Sequence, residues 1–174
     1  MSILVELRAG VVTRSAEGTR RLAARLAAVL SPDVTLALHG NLGVGKTTFV
    51  QGLARGFGIT GMVTSPTYNI LHLYRDAPTR PATRRGSERA GKGSAQAGSL
   101  FHGHGVGGRT LVHLDAYRLE NAHQISELML DDFLVSPYCL AVEWPERIAA
   151  WLPVDALHVA LGIEAPGRHR VVLQ

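Results

Sequence analysis

Apolar and polar residues are arranged along the chain in blocks that predict strands and helices in turn. Three short, nearly continuous apolar runs, Val34–His39, Thr110–Asp115 and Tyr138–Glu143, are typical of fully buried strands. Residues 16–30 and 46–57 instead repeat apolar side chains three and four positions apart, which predicts helices. Such alternation favours an α/β fold in which helices flank a largely parallel central sheet.

The remaining predicted elements are shorter or interrupted. They are strand-like segments at 3–7 and 62–74, helices from about 123 to 134 and from just after 145 to near 153, and strands at 156–163 and 169–173. The last two strands are joined by Ala165-Pro166-Gly167, which predicts a C-terminal antiparallel hairpin.

Residues 75–109 differ from the rest of the chain. They hold eight of the nineteen glycines and seven basic residues against two acidic ones, a net charge of +5, whereas the whole chain carries +4. The remainder is therefore at −1, so the basic character belongs to this stretch alone. Because it has few large apolar residues to bury, we expect one domain over residues 1–174 with a flexible insertion between two strands at about 75–109. Contact of the insertion with RNA or a partner is the alternative.

Composition excludes several classes of protein. The single cysteine, Cys139, rules out a disulfide framework and a cysteine-rich metal site. No apolar run approaches the roughly 18 residues of a membrane span. Glu6 and Arg8 interrupt the apolar start that a signal peptide needs, and we expect a cytoplasmic protein with no membrane association.

One segment carries recognisable chemistry. It reads Gly40-Asn41-Leu42-Gly43-Val44-Gly45-Lys46-Thr47 and matches the pattern G-x-x-x-x-G-K-[ST] at every fixed position. It also follows a predicted strand and opens a predicted helix, as a phosphate-binding loop (P-loop) must. The backbone amides and the helix N-terminus would cradle phosphate, Lys46 would reach the β- and γ-phosphates, and Thr47 would ligate Mg²⁺. The segment predicts a nucleoside triphosphate site.

A P-loop also needs a carboxylate at the end of a neighbouring buried strand. Two predicted strands end in an acid, Asp115 and Glu143. We expect Asp115 to hold the metal and Glu143 to polarise the attacking water, and the reverse division of roles is the alternative. Capping of the helix that follows is the alternative role for each.

Other residues give weaker signals. The cluster Thr64-Ser65-Pro66-Thr67 is either a switch-like segment that contacts the γ-phosphate or a proline turn with hydroxyl caps. Trp144 either lines the nucleotide pocket or packs in the core. His113 is expected to be a hydrogen-bonded core histidine rather than a base. The chain lacks the Asn-Lys-x-Asp signature of GTPases, which favours ATP.

Four motifs together resemble one family. They are the P-loop extended through Thr48-Phe49, then Val63-Thr64-Ser65-Pro66-Thr67-Tyr68, His113-Leu114-Asp115-Ala116-Tyr117-Arg118-Leu119 and Glu143-Trp144-Pro145-Glu146-Arg147. In their order, and in the length of the chain, they resemble the bacterial tRNA threonylcarbamoyladenosine biosynthesis ATPase family (TsaE, YjeE-type), and the likeness covers nearly everything except residues 75–109. That insertion is longer than the short hairpin typical of the family, and Ala116 stands where leucine is more usual.

The resemblance implies a small ATPase that uses ATP and Mg²⁺ and works with the TsaB–TsaD pair, which modifies adenosine 37 of tRNA. Hydrolysis, weak in the isolated chain and stimulated by these partners, would reset the complex, and contact with tRNA would be indirect. The resemblance assigns phosphate and Mg²⁺ binding to Lys46, Thr47 and Thr48, the switch-like segment to Ser65 and Thr67, the Walker B acid to Asp115, and a place at the nucleotide to Glu143 and Trp144.

Three other functions fit parts of the sequence. A small-molecule P-loop kinase has a similar length and architecture, and the basic insertion could then act as its lid. A nucleotide-binding regulatory switch would show little turnover. Direct RNA binding through the insertion could coexist with ATP hydrolysis.

Overall fold

A seven-stranded sheet, built from the apolar runs of the chain, lies at the centre of the fold. The computed structural model describes residues 1–66, 70–75, 108–120 and 123–174. In chain order its helices and strands are α1 (Ile3–Ala9), β1 (Val11–Thr13), α2 (Ala16–Ala27), β2 (Val34–His39), α3 (Lys46–Gly56), β3 (Leu71–Tyr74), β4 (Thr110–Asp115), α4 (His123–Glu127), β5 (Tyr138–Glu143), β6 (Leu157–Ala165) and β7 (Arg168–Leu173).

The strand order is β1-β7-β6-β2-β5-β4-β3. The four central strands β6, β2, β5 and β4 are parallel to one another, whereas β7, β1 and β3 join antiparallel. This confirms the α/β fold with a parallel central sheet and a C-terminal antiparallel hairpin. Because parallel strands end at the same edge of a sheet, the carboxyl ends of β2, β5 and β4 lie side by side.

The two faces of the sheet are buried in separate cores. Alternate residues of β5 show this, since Cys139 and Ala141 pack in one core and Leu140 and Val142 in the other. The first core lies under α2 and α3, and the second under α4 and the short 3₁₀ turns after β4 and β5. Burial on both faces explains why the strands lack polar alternation in the sequence.

The predicted strand at residues 3–7 is wrong, because this segment is the start of α1. Ile3 and Leu7, four residues apart, are buried, whereas Val5 between them is 51% exposed. Five residues with apolar side chains at positions 3, 5 and 7 fit a strand period as well as a helical one, and tertiary packing selects the helix. The three-residue β1, which pairs with β7, is too short to leave a periodic signal.

Several predicted elements are shorter than expected. Helix α4 ends at Glu127, and Met129 adopts a left-handed conformation at φ 47° before a 3₁₀ turn. The helix predicted after Pro145 is a single 3₁₀ turn, Pro145–Ile148. Among the residues of the strand-like segment 62–74 that the structure describes, 62–66 and 70–74, only Leu71–Tyr74 forms a strand.

The insertion joins β3 to β4, which are antiparallel neighbours. Residues 76–107 lie outside the described residues, so the prediction of a flexible segment stays a prediction. Its described ends are anchored: Arg75 Nε donates to Thr110 Oγ1 at 3.1 Å, and Arg109 Nη2 donates to the Leu30 carbonyl at 3.0 Å. Among the described helices, none combines the length and the apolar character needed to cross a lipid bilayer.

Candidate active site

The P-loop connects β2 to α3 at the carboxyl edge of the sheet. Gly40 approaches β6 so closely that a Cβ there would lie 2.3 Å from the Leu161 carbonyl oxygen. Gly45 precedes α3 at φ 100°, a left-handed conformation that side chains disfavour. The first turn of α3 leaves its N–H groups without intrahelical partners, so they are available to an anion at this end of the helix.

Hydrogen bonds to the P-loop backbone hold Lys46 in place. Its Nζ donates to the carbonyls of Gly40 at 2.7 Å and Asn41 at 3.1 Å, and it lies 4.0 Å from the centre of the Trp144 ring. Burial lowers the pKa of Lys46, against the opposing charges of nearby carboxylates such as Glu143. An ammonium has three donors, so one remains for a phosphate oxygen.

The two candidate carboxylates occupy matching positions on adjacent strands. Asp115 ends β4 and Glu143 ends β5, and the two are direct partners in the parallel register. Glu143 Oε1 accepts a hydrogen bond from Thr47 Oγ1 at 2.8 Å and lies 2.9 Å from His113 Nε2. The Thr47 hydroxyl therefore contacts Glu143, not Asp115, in this conformation.

The electrostatic environments of the two acids differ. Burial by itself raises the pKa of Glu143, but His113, the Thr47 hydroxyl and the Lys46 ammonium outweigh it, and the pKa lies below its usual value. Burial raises the pKa of Asp115, with the Glu143 charge adding to this effect. Asp115 Oδ1 also accepts the Tyr117 N–H at 3.1 Å. Glu143 is thus held in its ionised form, whereas Asp115 is better suited to accept a proton.

These groups line a single cavity of about 390 Å³. The residues that surround it are Leu42, Gly43, Gly45, Lys46, Thr47, Thr48, Ser65, Asp115, Tyr117, Arg118, Glu143 and Trp144. Most of the site residues predicted from the sequence are among them. Gly40 and Asn41 contribute carbonyl groups to Lys46 rather than cavity surface, and Thr67 lies outside the described residues.

Sequence reasoning gave Tyr117 and Arg118 no role at the site, although both line the cavity. Their position in the sequence, directly after Asp115, is the feature that could have indicated a place at the site. The Tyr117 ring packs against Trp144 at 5.0 Å between centroids, with the Arg147 guanidinium 5.9 Å from the Tyr117 ring. Trp144 itself adopts φ 58°, which turns its ring toward Lys46.

Two histidines that do not line the cavity, His113 and His169, form hydrogen bonds with residues of the site. His113 is fully buried and is a hydrogen-bonded core histidine, as expected, with Glu143 as its partner. His169 on β7 was missed: its Nδ1 lies 3.0 Å from the Val44 carbonyl in the P-loop. A carbonyl oxygen can only accept, so Nδ1 carries the hydrogen. No sequence pattern indicated this contact, because 125 residues separate the two partners.

The chain is similar in sequence to known proteins. The family model described as "Threonylcarbamoyl adenosine biosynthesis protein TsaE" matches residues 13–83 and 99–171. The chain belongs to the TsaE family. Two curated relatives, both named tRNA threonylcarbamoyladenosine biosynthesis protein TsaE, come from Treponema pallidum and Bacillus subtilis. The first is 28% identical over 93% of this chain and 97% of its own length, and the second is 32% identical over 86% and 74%.

The fold is also similar to a solved TsaE-family structure. The crystal structure of YdiB from Bacillus subtilis superposes with a TM-score of 0.65 and 27% sequence identity, over 94% of this chain and 82% of that one. The family model leaves out residues 84–98, which lie inside the insertion. The part of the chain that departs most from TsaE proteins is thus the part with the unusual composition.

Proposed function

We propose that this TsaE-family chain is an ATPase that uses Mg²⁺ and supports threonylcarbamoyl modification of adenosine 37 in tRNA. One observation carries the proposal: the P-loop, Lys46, Thr47 and two strand-end carboxylates surround one cavity. The P-loop amides and the free donor of Lys46 would bind the phosphates, and Thr48 would lie at the same helix end.

The oxygen groups at the cavity fit Mg²⁺, which prefers oxygen ligands and one or two carboxylates beside phosphate. We propose that Thr47 and Glu143 hold the ion, because their oxygens already lie 2.8 Å apart. Asp115, which the sequence favoured as the metal ligand, would then orient the attacking water. This is the reverse division of roles, which the sequence left open. When bound, Mg²⁺ would neutralise charge on the β- and γ-phosphates.

The residues of the chain then have distinct tasks. Lys46 neutralises phosphate charge from a fixed position, since two of its donors are already bound. His113 keeps Glu143 ionised and oriented. Asp115 Oδ2, the oxygen not occupied by Tyr117, would accept the proton of the water.

In the cell we propose that the chain acts in the cytoplasm with TsaB and TsaD. TsaD would carry out the transfer, and hydrolysis by this subunit would return the complex to its active state, with tRNA contacted through the complex. Family membership and the names of the relatives support a place in tRNA threonylcarbamoyladenosine biosynthesis, and TsaB and TsaD are the partners that the resemblance implies.

Reconstitution tests the proposal directly. We expect slow ATP hydrolysis by the chain alone, faster hydrolysis with TsaB–TsaD, and repeated rounds of tRNA modification only when this chain is present. Lys46→Ala should abolish both activities, and Tyr138→Phe, at the opposite end of β5, should leave both unchanged. Phosphate transfer to a metabolite without partner dependence would instead indicate a small-molecule kinase. Nucleotide binding without turnover in the complete complex would indicate a regulatory switch.

A further inference from the structure

The segment of residues 61–66 brings Ser65 to the cavity without the support of a helix or strand of its own. Its side chains are largely exposed apart from Val63 and Pro66. A loop of this kind holds one conformation only where other parts of the protein anchor its backbone. Two side chains provide such anchors.

The first anchor comes from the P-loop helix. Gln51 of α3 donates from Nε2 to the Val63 carbonyl at 3.0 Å and accepts a hydrogen bond from Arg20 at 3.2 Å. Gln51 lies one helical turn after Thr47, so the base of the loop is fixed relative to the P-loop.

The second anchor is the Tyr74 hydroxyl at the end of β3. It accepts the Thr64 N–H at 3.3 Å and donates to the Thr64 carbonyl at 3.2 Å, so one phenol binds both backbone groups of the residue before Ser65. A phenol is protonated at neutral pH, and burial raises the pKa of Tyr74 further, so the hydroxyl hydrogen is available for the second bond.

His72 fixes the hydroxyl in turn. Its Nδ1 lies 2.9 Å from Tyr74 Oη. Since the hydroxyl hydrogen goes to Thr64, Nδ1 must carry a hydrogen and donate. His72 and Tyr74 lie two residues apart on one face of β3, and His72 pairs across the sheet with His113, the partner of Glu143. The supports of Ser65 and of Glu143 are therefore on neighbouring strands.

We propose that Tyr74 is a positioning residue that fixes the Thr64 backbone so that Ser65 contacts the γ-phosphate end of the nucleotide. This inference rests on the proposed function and goes beyond it, because Tyr74 does not line the cavity and acts only through Thr64. The γ-phosphate distinguishes ATP from ADP. Loss of the anchor should therefore weaken discrimination between the two nucleotides and slow hydrolysis, while ADP binding stays intact.

The test compares Tyr74→Phe, which removes only the hydroxyl, with Tyr138→Phe as the matched control. In Tyr74→Phe we expect kcat for ATP to fall about fivefold to tenfold, as for one lost hydrogen bond in the transition state. The affinity for a non-hydrolysable ATP analogue should fall by a similar factor, and the affinity for ADP should stay within about twofold of wild type. Tyr138→Phe should match wild type in all three measurements.

Amide hydrogen exchange gives a readout that needs no nucleotide. The Thr64 N–H should exchange faster in Tyr74→Phe than in wild type and at the wild-type rate in Tyr138→Phe, because only the first variant loses its acceptor. Unchanged Thr64 exchange, or an unchanged ratio of analogue to ADP affinity, would overturn the positioning role. A wild-type chain without ATP turnover in the full complex would contradict the proposed function itself. Turnover that is normal in both wild type and Tyr74→Phe would contradict only the role of Tyr74.

Discussion

At the scale of single residues, the site depends on side chains whose hydrogen bonds are largely complete before any nucleotide binds. Lys46 already contacts two P-loop carbonyls, and Glu143 already contacts Thr47 and His113. Groups fixed in this way lose little conformational entropy when a ligand binds. The residues that hold Lys46 and Glu143 in place are therefore expected to contribute to nucleotide affinity without touching the phosphates.

His169 is the clearest example of such a supporting residue. We expect His169→Phe to weaken ADP affinity about threefold to tenfold, because the variant keeps a ring of similar size but loses the hydrogen bond to Val44. Isothermal titration calorimetry would measure the change. Arg168→Ala is the control, since Arg168, the exposed neighbour of His169, pairs with Glu164 and not with the P-loop. Equal ADP affinity in His169→Phe and wild type would show that the P-loop keeps its shape without this contact.

At the scale of elements, the position of α3 depends on its close contact with α2. A Cβ at Gly52 would lie 2.4 Å from the Arg20 carbonyl oxygen, so the two helix backbones approach closely at this point. The P-loop is the N-terminal extension of α3. The contact between the helices therefore also fixes where the phosphate-binding amides lie.

The variant Gly52→Ala distinguishes the effect of packing between α2 and α3 on stability from the effect of intrinsic helix propensity. Propensity alone predicts stabilisation by about 1 kcal/mol, whereas the collision with α2 should dominate and lower the free energy of unfolding by about 1–3 kcal/mol. The control is Gly18→Ala in α2, where a new Cβ would meet its nearest atom at 3.4 Å and should be neutral or stabilising. Urea unfolding measures both. Stabilisation of Gly52→Ala equal to that of Gly18→Ala would contradict the packing argument.

Local patterns in the sequence were sufficient to predict the long helices and strands and the P-loop. Continuous apolar character predicts the buried strand Val34–His39, and a 3.6-residue period predicts helix α3. The glycine pattern between these two elements is typical of a phosphate-binding loop. Residues 3–7 were misassigned because five residues do not distinguish the two periods. The helix from 123 to 134 was overextended because a left-handed Met129 leaves no apolar signature.

Long-range contacts explain the rest of what the sequence did not reveal. The strand order, the Thr47–Glu143 bond and the His169–Val44 bond join parts of the chain far apart in sequence, which a pattern in one window does not encode. The two acids were predicted, but the sequence does not show that Thr47 contacts Glu143, and the proposed division of roles rests on that contact.

At the scale of the whole molecule, the candidate site and the described ends of the insertion lie at opposite edges of the sheet. The site lies at the carboxyl ends of β2, β5 and β4, whereas the insertion leaves the sheet after β3 and returns at the amino end of β4. Arg75 and Thr110 contact each other directly where the two strands meet. This arrangement allows a short turn to replace the insertion without disturbing the site.

We therefore expect that replacing residues 76–107 with a short turn leaves ADP affinity unchanged within about twofold, because the two strands that the insertion joins meet at the edge of the sheet opposite the cavity. Calorimetry on the shortened chain tests this. Loss of ADP binding would show that the insertion acts as a lid. Binding of tRNA that falls steeply with salt and disappears with the deletion would show a separate RNA contact.

Whether the P-loop binds a nucleoside triphosphate is measured by calorimetric titration of the intact chain with ATP in the presence of Mg²⁺. We expect saturable heat for the wild type at up to millimolar nucleotide and at least a tenfold loss of affinity in Lys46→Ala, with the melting temperature used to confirm that the variant is folded. No binding by the wild type, or equal binding by the folded Lys46→Ala variant, would contradict this expectation.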